Sequence, residues 1–327
     1  MRTLITGAAG FIGSTLVDRL LAEGHDVVGI DNLSTGRIAN LAEAFCCNRN
    51  RRGRFTYLQN DIQAPELTDI VAGTNPDVIF HLAAQVDLRA SVSDPLFDAR
   101  CNVLGTINVL EAARRSGVRR LVYAASGGSR YGAPTRLPVD ETTTLGPLSP
   151  YAAAKVAGEM YIGAYAGMYG IAPICLGLAN VYGPRQNPHG EAGVIAIFAS
   201  RMLAGRPVTV FGDGTAARDY VYVDDVVDAF VRAGRAPLTT VGTYNIGTGR
   251  QATVTEVHEL IAAFLGEVPP PCYAEARTGE LQAIALDATR AQRELGWLPE
   301  IHLAEGIQRT MEWLRAILDP EPALLEA

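Results

Sequence analysis

A doubly wound parallel α/β sheet with a smaller C-terminal domain is the architecture this sequence predicts. Three observations predict it. Short β-rich runs alternate with helical stretches through the first half of the 327-residue chain. A glycine trio follows the first such run, and an acid ends the second. Beyond Asn180 the alternation weakens, and proline and glycine become frequent.

The elements follow in order. TLIT (Thr3 to Thr6) is a strand, and Phe11 to Ala22 a helix. DVVGID (Asp26 to Asp31), RFTYLQ (Arg54 to Gln59) and DVIFHLA (Asp77 to Ala83) are the next three strands. One long helix is expected from about Pro95 to Ser116, before the strand RLVYAAS (Arg120 to Ser126). A second long helix runs from Pro150 to Tyr169, followed by the strand APICLGLA (Ala172 to Ala179). Strands alternating with helices imply right-handed crossovers and a parallel sheet covered on both faces. The expected division is residues 1–179 and 180–327, the second part irregular and set over the carboxyl edge of the sheet. A segment near 216–248, with YNIG (Tyr244 to Gly247), returns a strand to the first part. The tail from Asp319 to Ala327 is expected to fray.

Composition limits the function. Hydrophobic residues are 48% of the chain and charged residues 19%, a profile that suits a large buried core. The net charge of -7 disfavours nucleic-acid binding, which needs clustered positive charge. The basic run from Asn48 to Phe55 reads as a solvated loop. No apolar run reaches the roughly 18 to 20 residues of a membrane span, so no membrane partner is expected. The five cysteines (Cys46, Cys47, Cys101, Cys175 and Cys272) include no C-x-x-C pair and no nearby histidine cluster. Neither disulfides nor a metal are expected, and a reducing, cytoplasmic setting fits. Cys46 and Cys47 are expected to be loop thiols.

The first strand ends in TGAAGFIG, with Gly7, Gly10 and Gly13. Glycines here allow a tight turn, close approach of backbone to phosphate, and close helix–strand packing, with the helix N-terminus facing a pyrophosphate. Asp31 ends the second strand at a distance that suits a carboxylate gripping ribose hydroxyls. A 2′-phosphate would meet a like charge at Asp31, so NAD is expected rather than NADP.

Lys155 is the only lysine among the 28 basic residues, and it stands four after Tyr151. On a helix the two share a face. A phenol loses its proton near about pH 10, and an adjacent ammonium and a cationic ring both favour the phenolate. Such a phenolate accepts a hydroxyl proton. A compact ammonium also fits ribose hydroxyls where the rigid guanidinium fork does not. Ser126 and Ser129, after the fifth strand, are candidate hydroxyl donors.

The G-x-x-G-x-x-G spacing with the downstream Tyr-x-x-x-Lys resembles the extended short-chain dehydrogenase/reductase family, whose nucleotide-binding domain is of Rossmann type. The likeness continues through DNLSTG (Asp31 to Gly36), HLAAQ (His81 to Gln85), NVLGTINVLEAA (Asn102 to Ala113), NVYGPRQNPHGEAGVIAIF (Asn180 to Phe198), GDGTAARDYVYVDDV (Gly212 to Val226), NIGTG (Asn245 to Gly249) and ELGW (Glu294 to Trp297). These stretches are similar to the nucleotide-sugar epimerase branch, that of the UDP-glucose 4-epimerases.

The resemblance implies a catalytic trio of Tyr151, Lys155 and Ser126, with Ser129 the alternative donor. It implies NAD contacts from Gly7, Gly10, Phe11, Ile12, Gly13, Asp31, Asn32, Ser34, Thr35 and Gly36. Asp61 and Ile62 match the adenine side, Leu82, Ala83, Ala84 and Gln85 the nicotinamide wall, and Asn102 the cofactor side. For a UDP-sugar it implies Ser126, Gly127, Asn180, Val194, Arg218, Arg277 and Glu280, the two arginines making charge-assisted contacts to the diphosphate. Arg218 could instead be a salt bridge to Asp219 or Asp224. Asp87 and Arg89 flank the expected sugar site without an assigned role.

The implied activity is interconversion of UDP-glucose and UDP-galactose by transient oxidation at C4, NAD being regenerated in each cycle. UDP-N-acetylhexosamine or UDP-glucuronate are alternative substrates. A dTDP-glucose 4,6-dehydratase is disfavoured because no carboxylate lies between Ser126 and Tyr131. A non-catalytic NAD-binding sensor is disfavoured because Tyr151 and Lys155 both stand. The helices near Pro95–Ser116 and Pro150–Tyr169 are apolar on more than one stripe, which implies a homodimer.

Overall fold

The computed structural model describes residues 1–50, 53–188, 193–276 and 281–318, with the side chains of residues 47–50 excluded. The order begins β1 (Arg2–Thr6), α1 (Phe11–Ala22), β2 (Asp26–Asp31), α2 (Ala42–Asn50), β3 (Phe55–Gln59), α3 (Leu67–Thr74) and β4 (Val78–His81). Then come α4 (Leu88–Ser93), α5 (Pro95–Ala99), a π-helical turn (Arg100–Leu104), α6 (Gly105–Arg115), β5 (Arg120–Ser126), α7 (Gly127–Arg130), α8 (Pro150–Tyr169) and β6 (Ala172–Leu178). The second half carries β7 (Asn180–Tyr182), α9 (Val194–Leu203), β8 (Thr209–Phe211), β9 (Ala217–Arg218), β10 (Tyr220–Tyr222), α10 (Val223–Arg235) and β11 (Gly242–Ile246). It closes with β12 (Ala252–Thr253), α11 (Val254–Leu265), β13 (Cys272–Ala274), β14 (Ala283–Ile284), α12 (Thr289–Leu295) and α13 (Leu303–Leu318).

Seven parallel strands form the central sheet, in the order β11-β6-β5-β4-β1-β2-β3. Adjacent residues of each strand face opposite cores. Leu4, Ile79 and Leu121 pack with α3, α6 and Ile162 of α8. Ile5, Phe80 and Val122 pack with α1 and α10. Burial of both faces explains why these strands read as continuous apolar runs rather than alternating ones. The order reverses between β1 and β4, so their carboxyl ends open a crevice at a topological switch point.

Helix α8 is delimited by local chemistry. Ser149 accepts a hydrogen bond from the Ala152 backbone N–H at 3.2 Å, Pro150 stands at the start, and Gly170 ends the helix at φ 69°. It packs tightly on the sheet because Gly158 has no Cβ; one there would lie 2.8 Å from the Tyr123 hydroxyl.

Two expectations are corrected. Cys46 and Cys47 lie in helix α2, not a loop, and the helix takes in the start of the basic run. Leu41 and Ala44 are buried beside it, and Phe45 meets Phe55 and Tyr57 edge-on, which holds it to the domain. The helical stretch expected from Pro95 to Ser116 is present over Pro95–Arg115, with one π turn, Arg100–Leu104, between α5 and α6. The second half is also more regular than expected, with five helices of its own among the described residues. No helix among the described residues is long and apolar enough to cross a membrane. The tail from Asp319 onward lies outside the described residues.

Candidate active site

The glycine loop closes over the crevice. Gly7 sits at φ 75°, and a Cβ there would lie 2.7 Å from the Ala83 backbone N. A Cβ on Gly13 would lie 2.0 Å from the Gly7 carbonyl oxygen. The loop therefore presents bare backbone toward the start of α1, with Gly10 extended at its N-cap and Phe11 and Ile12 packed into the core behind it. Asp31 is buried and accepts from the Ala9 N–H at 2.9 Å and the Leu33 N–H at 2.7 Å. Asn32 donates to Asp61 at 2.7 Å and accepts from the Ser34 N–H at 2.9 Å, which ties the β2 and β3 ends together. Ser34 and Thr35 are exposed on the same turn, and Gly36 closes on Asp31. Ile62 packs against Gly105 of α6. A glycine cradle with an acid at its rim fits a dinucleotide.

Across the crevice, Leu82 and Ala83 follow β4. The Ala83 N–H donates to Thr6 Oγ1 at 3.2 Å, and the same hydroxyl lies 2.7 Å from His81 Nδ1. His81 Nε2 lies 3.0 Å from Thr106 Oγ1, and burial pushes the imidazole down to about 3, so it stays neutral. After Ala84, Gln85 and Asn102 hold each other. The Gln85 N–H donates to Asn102 Oδ1, and Asn102 Nδ2 donates to the Gln85 carbonyl, both at 2.9 Å. The two amides also donate to Asp98 Oδ1, at 2.9 and 3.0 Å. The π turn aims Asn102 at this wall, a frequent use of such turns. Asp87 caps α4 by accepting from the Ala90 N–H at 2.9 Å.

Tyr151, in the first turn of α8, lies close enough to Ser126 at the end of β5 for that hydroxyl to pull the phenol's value down. Ser129 donates to Ser126 at 2.8 Å. The two candidate serines are thus hydrogen-bonded to each other, and Ser126 is the one that bears on the phenol. Gly127 packs into a gap where a Cβ would lie 2.5 Å from Leu286 Cδ1. Lys155 is buried one turn below Tyr151, its ammonium 4.6 Å from the Tyr123 ring centroid. Burial lowers Lys155 to about 8, while Glu159 and Asp98 draw it back up.

The expectation that the ammonium lowers the Tyr151 value does not hold for the chain by itself. Burial pushes the phenol up to about 12, with only the nearby Ser126 hydroxyl pulling it down. Lys155 stands over the Tyr123 ring instead. Of the two cations invoked from sequence, the bound cofactor's ring is the one left to lower Tyr151.

The proposed substrate residues are spread over the second half. Asn180 begins β7, with its Oδ1 near Gly128. Val194 begins α9, packed against the core. Arg218 ends β9 and donates to the Ala217 carbonyl at 2.9 Å. Asp219 does not serve as its ion-pair partner in the way considered from sequence. Its carboxylate accepts from the Thr248 N–H and hydroxyl, the Gly249 N–H and the Leu286 N–H. Arg277 and Glu280 lie outside the described residues. A cavity of about 360 Å³ lined by Phe211, Gly212, Asp213, Ala216, Ala276, Leu281 and Gln282 lies in this half. Another, of about 300 Å³ and lined by Arg2, Asp26 and Arg54, opens at the amino edge of the sheet. That is the wrong end for a site built on strand carboxyl termini.

Three residues of this neighbourhood escaped the sequence reading. Asp98 stands four before Asn102, and Glu159 stands four after Lys155, so helical spacing alone could have flagged both. Arg130 gave no such signal.

The comparisons agree with this geometry. The NAD dependent epimerase/dehydratase family matches residues 3–247. The chain is 52% identical over 315 residues to a UDP-glucose 4-epimerase of Mycolicibacterium smegmatis, covering 96% of this chain and 99% of that one. The crystal structure of a Thermotoga maritima UDP-glucose 4-epimerase with UDP-glucose is similar at TM-score 0.90 and 41% identity, covering 98% of this chain and 100% of that one. A Thermus thermophilus UDP-glucose 4-epimerase in complex with NAD is similar at TM-score 0.88 and 40% identity, covering 96% and 99%. With the crevice, the loop and the tyrosine–lysine helix all lying within the matched span, the chain belongs to the NAD dependent epimerase/dehydratase family.

Proposed function

We propose that the protein is a UDP-glucose 4-epimerase that interconverts UDP-glucose and UDP-galactose. The observation that carries this reading is the grouping of Tyr151 with the hydrogen-bonded Ser126–Ser129 pair beside the glycine crevice. The kinship to UDP-glucose 4-epimerases over nearly the whole chain supports it. When bound, NAD supplies the reversible two-electron oxidant at sugar C4. Tyr151 Oη accepts the proton of the 4-hydroxyl and later returns it, so no proton is lost over a cycle. Ser126 Oγ donates to the same sugar oxygen and holds it against Tyr151. Lys155 keeps a positive charge beneath the ribose side and orients its hydroxyls. Asp31 grips the adenosine ribose, and the Gly7–Gly13 loop with the start of α1 receives the pyrophosphate. Asn180, Val194, Arg218, Arg277 and Glu280 hold the UDP moiety, which tethers the oxidised sugar while it turns its other face.

In this reading residues 1–179 bind NAD and residues 180–327 bind the nucleotide sugar, with β11 returning to the sheet. The working unit is a homodimer. Leu88, Val92, Leu96, Leu104, Met160, Tyr161 and Met168 are exposed on α4, α5, the π turn and α8, and α8 packs directly against α4 and α5. Exposed apolar side chains gathered on helices that pack together mark an association site. Free Cys46, Cys101, Cys175 and Cys272 suit a cytoplasmic setting, and the proposed reaction belongs to galactose metabolism.

Incubating the purified protein with UDP-glucose, UDP-galactose, UDP-N-acetylhexosamines and UDP-glucuronate, then separating the products, tests the assignment. Fastest turnover of the UDP-glucose/UDP-galactose pair is expected. Faster turnover of another pair transfers the assignment to that sugar, and no turnover with retained NAD favours a non-catalytic sensor.

A further inference from the structure

Helix α8 carries a third polar residue on the face of Tyr151 and Lys155. Glu159 stands four residues beyond the lysine, and its carboxylate is nearly sealed from water. Its Oε2 lies 3.0 Å from Arg130 Nη1, in an ion pair whose side chains are only 9% and 7% exposed. Thr243 of β11 donates to the same oxygen at 3.0 Å. Arg130 is the last residue of α7, the short turn that begins directly after Ser126 and contains Ser129. The pair therefore joins three pieces: the turn with the serines, the helix with Tyr151 and Lys155, and the strand that returns from the second half.

A buried ion pair is weak evidence for stability, because desolvation of both groups offsets their attraction. Its location argues for something else. Lys155 covers the Tyr123 ring of β5, and the other groups that bear on its charge are His81 of β4, Cys175 of β6, Asp98 of α5, and Glu159 one turn along the same face of α8. Two of these are carboxylates, and Glu159 is the stronger influence on the lysine. Burial raises the Glu159 carboxyl, and Arg130, Thr243 and Lys155 oppose that rise, Arg130 most strongly.

We propose that the Arg130–Glu159 ion pair positions the catalytic groups: it locks the Ser126–Ser129 turn against α8, and Glu159 is the fixed counter-charge of the Lys155 ammonium. Neither residue touches substrate or cofactor in this proposal, which rests on the epimerase reading above.

The test compares kcat and KM of wild type, Glu159→Gln and Glu159→Asp, in the full chain, across the neutral and alkaline range. Glu159→Gln keeps the shape and the Thr243 contact but removes the charge. It should lower kcat by about 10- to 100-fold, as displaced catalytic groups do, with KM little changed. Because Lys155 loses a carboxylate neighbour, the alkaline fall in kcat should move to lower pH. Glu159→Asp keeps the charge and should keep the wild-type pH profile while losing part of kcat. Wild-type kcat in Glu159→Gln, or a loss of kcat with an unmoved profile, overturns the proposal and leaves a structural pair. If Glu159→Gln does not fold, Glu159→Asp decides: reduced kcat with normal NAD content supports the proposal, and unchanged kcat defeats it. A wild-type protein without epimerase activity defeats both this inference and the reading beneath it; failure in the variants alone defeats only the inference.

Discussion

The Lys155 ammonium stands over the face of the Tyr123 ring, 4.6 Å from its centroid. This cation–π contact and the two carboxylates keep a charge in a place that burial would otherwise neutralise. The balance leaves Lys155 near 8, below its ordinary 10.5. Activity that needs the ammonium should fall as pH rises through about 8. Stability should respond in the opposite sense. Between about 8 and 10.5 the folded chain has released a proton that the unfolded chain still binds, so this group's contribution to stability rises with pH. A kcat profile and denaturation midpoints measured over the same pH range check both directions.

Lys155→Arg tests shape against charge. The guanidinium keeps the charge but is larger and planar, in a site built round a compact ammonium. A loss in kcat of about 100-fold is expected from displacement of neighbouring groups. The alkaline fall assigned to Lys155 should also vanish, since arginine does not titrate there.

Tyr151→Phe removes the proton acceptor and leaves the ring. The expected loss in kcat is about 10²- to 10⁴-fold, with NAD still bound and UDP-sugar affinity nearly unchanged. Single-turnover assays with a binding isotherm separate those outcomes, and intact turnover would remove Tyr151 from the mechanism.

The sheet was legible because strands buried on both faces leave unbroken apolar runs, and because Gly7, Gly10, Gly13 and Asp31 punctuate the first crossover in order. The tyrosine–lysine pair was legible from one helical spacing. The state of Tyr151 was not, because it depends on burial, which no spacing encodes, and on where Lys155 points. Asp219 was legible as a charge but not as the acceptor for Thr248, Gly249 and Leu286, contacts that span up to 67 residues of sequence. Arg130 was hidden for the same reason, since its partner Glu159 lies on another element.

Gly7→Ala should empty the cofactor site. The φ of 75° disfavours any side chain, and the new Cβ would meet the Ala83 backbone at 2.7 Å. Strain of about 1–2 kcal/mol is expected from the left-handed backbone alone, and backbone on both sides cannot yield cheaply. The loop should shift away from β4. NAD released on denaturation should fall well below that of wild type, with a small drop in melting temperature.

Asp219→Ala should loosen the second half, where the turn between β9 and β10, the loop after β11 and the segment after β14 meet. Four donors lose a buried charged acceptor at once. Hydrogen bonds to charged groups contribute about 1.5–3 kcal/mol each, and they are not additive in a network. A loss of at least about 3 kcal/mol is expected in denaturant titration. A change below about 1 kcal/mol would mean that water replaces the carboxylate without cost.

The apolar face on α4, α5 and α8 should govern assembly. Leu96 and Met160 are 70% and 65% exposed, a costly arrangement for side chains of that size unless another surface covers them. A two-fold contact would bring each residue's surroundings against their own copy. Leu96→Glu with Met160→Glu therefore places carboxylates on both sides of one interface, in a chain that is already net acidic. Sedimentation analysis should give a dimer for wild type and a monomer for the double variant. The crevice is built within one chain, so the monomer should retain NAD. A monomeric wild type would discard the dimer, and a double variant that stays dimeric would move the interface to another face.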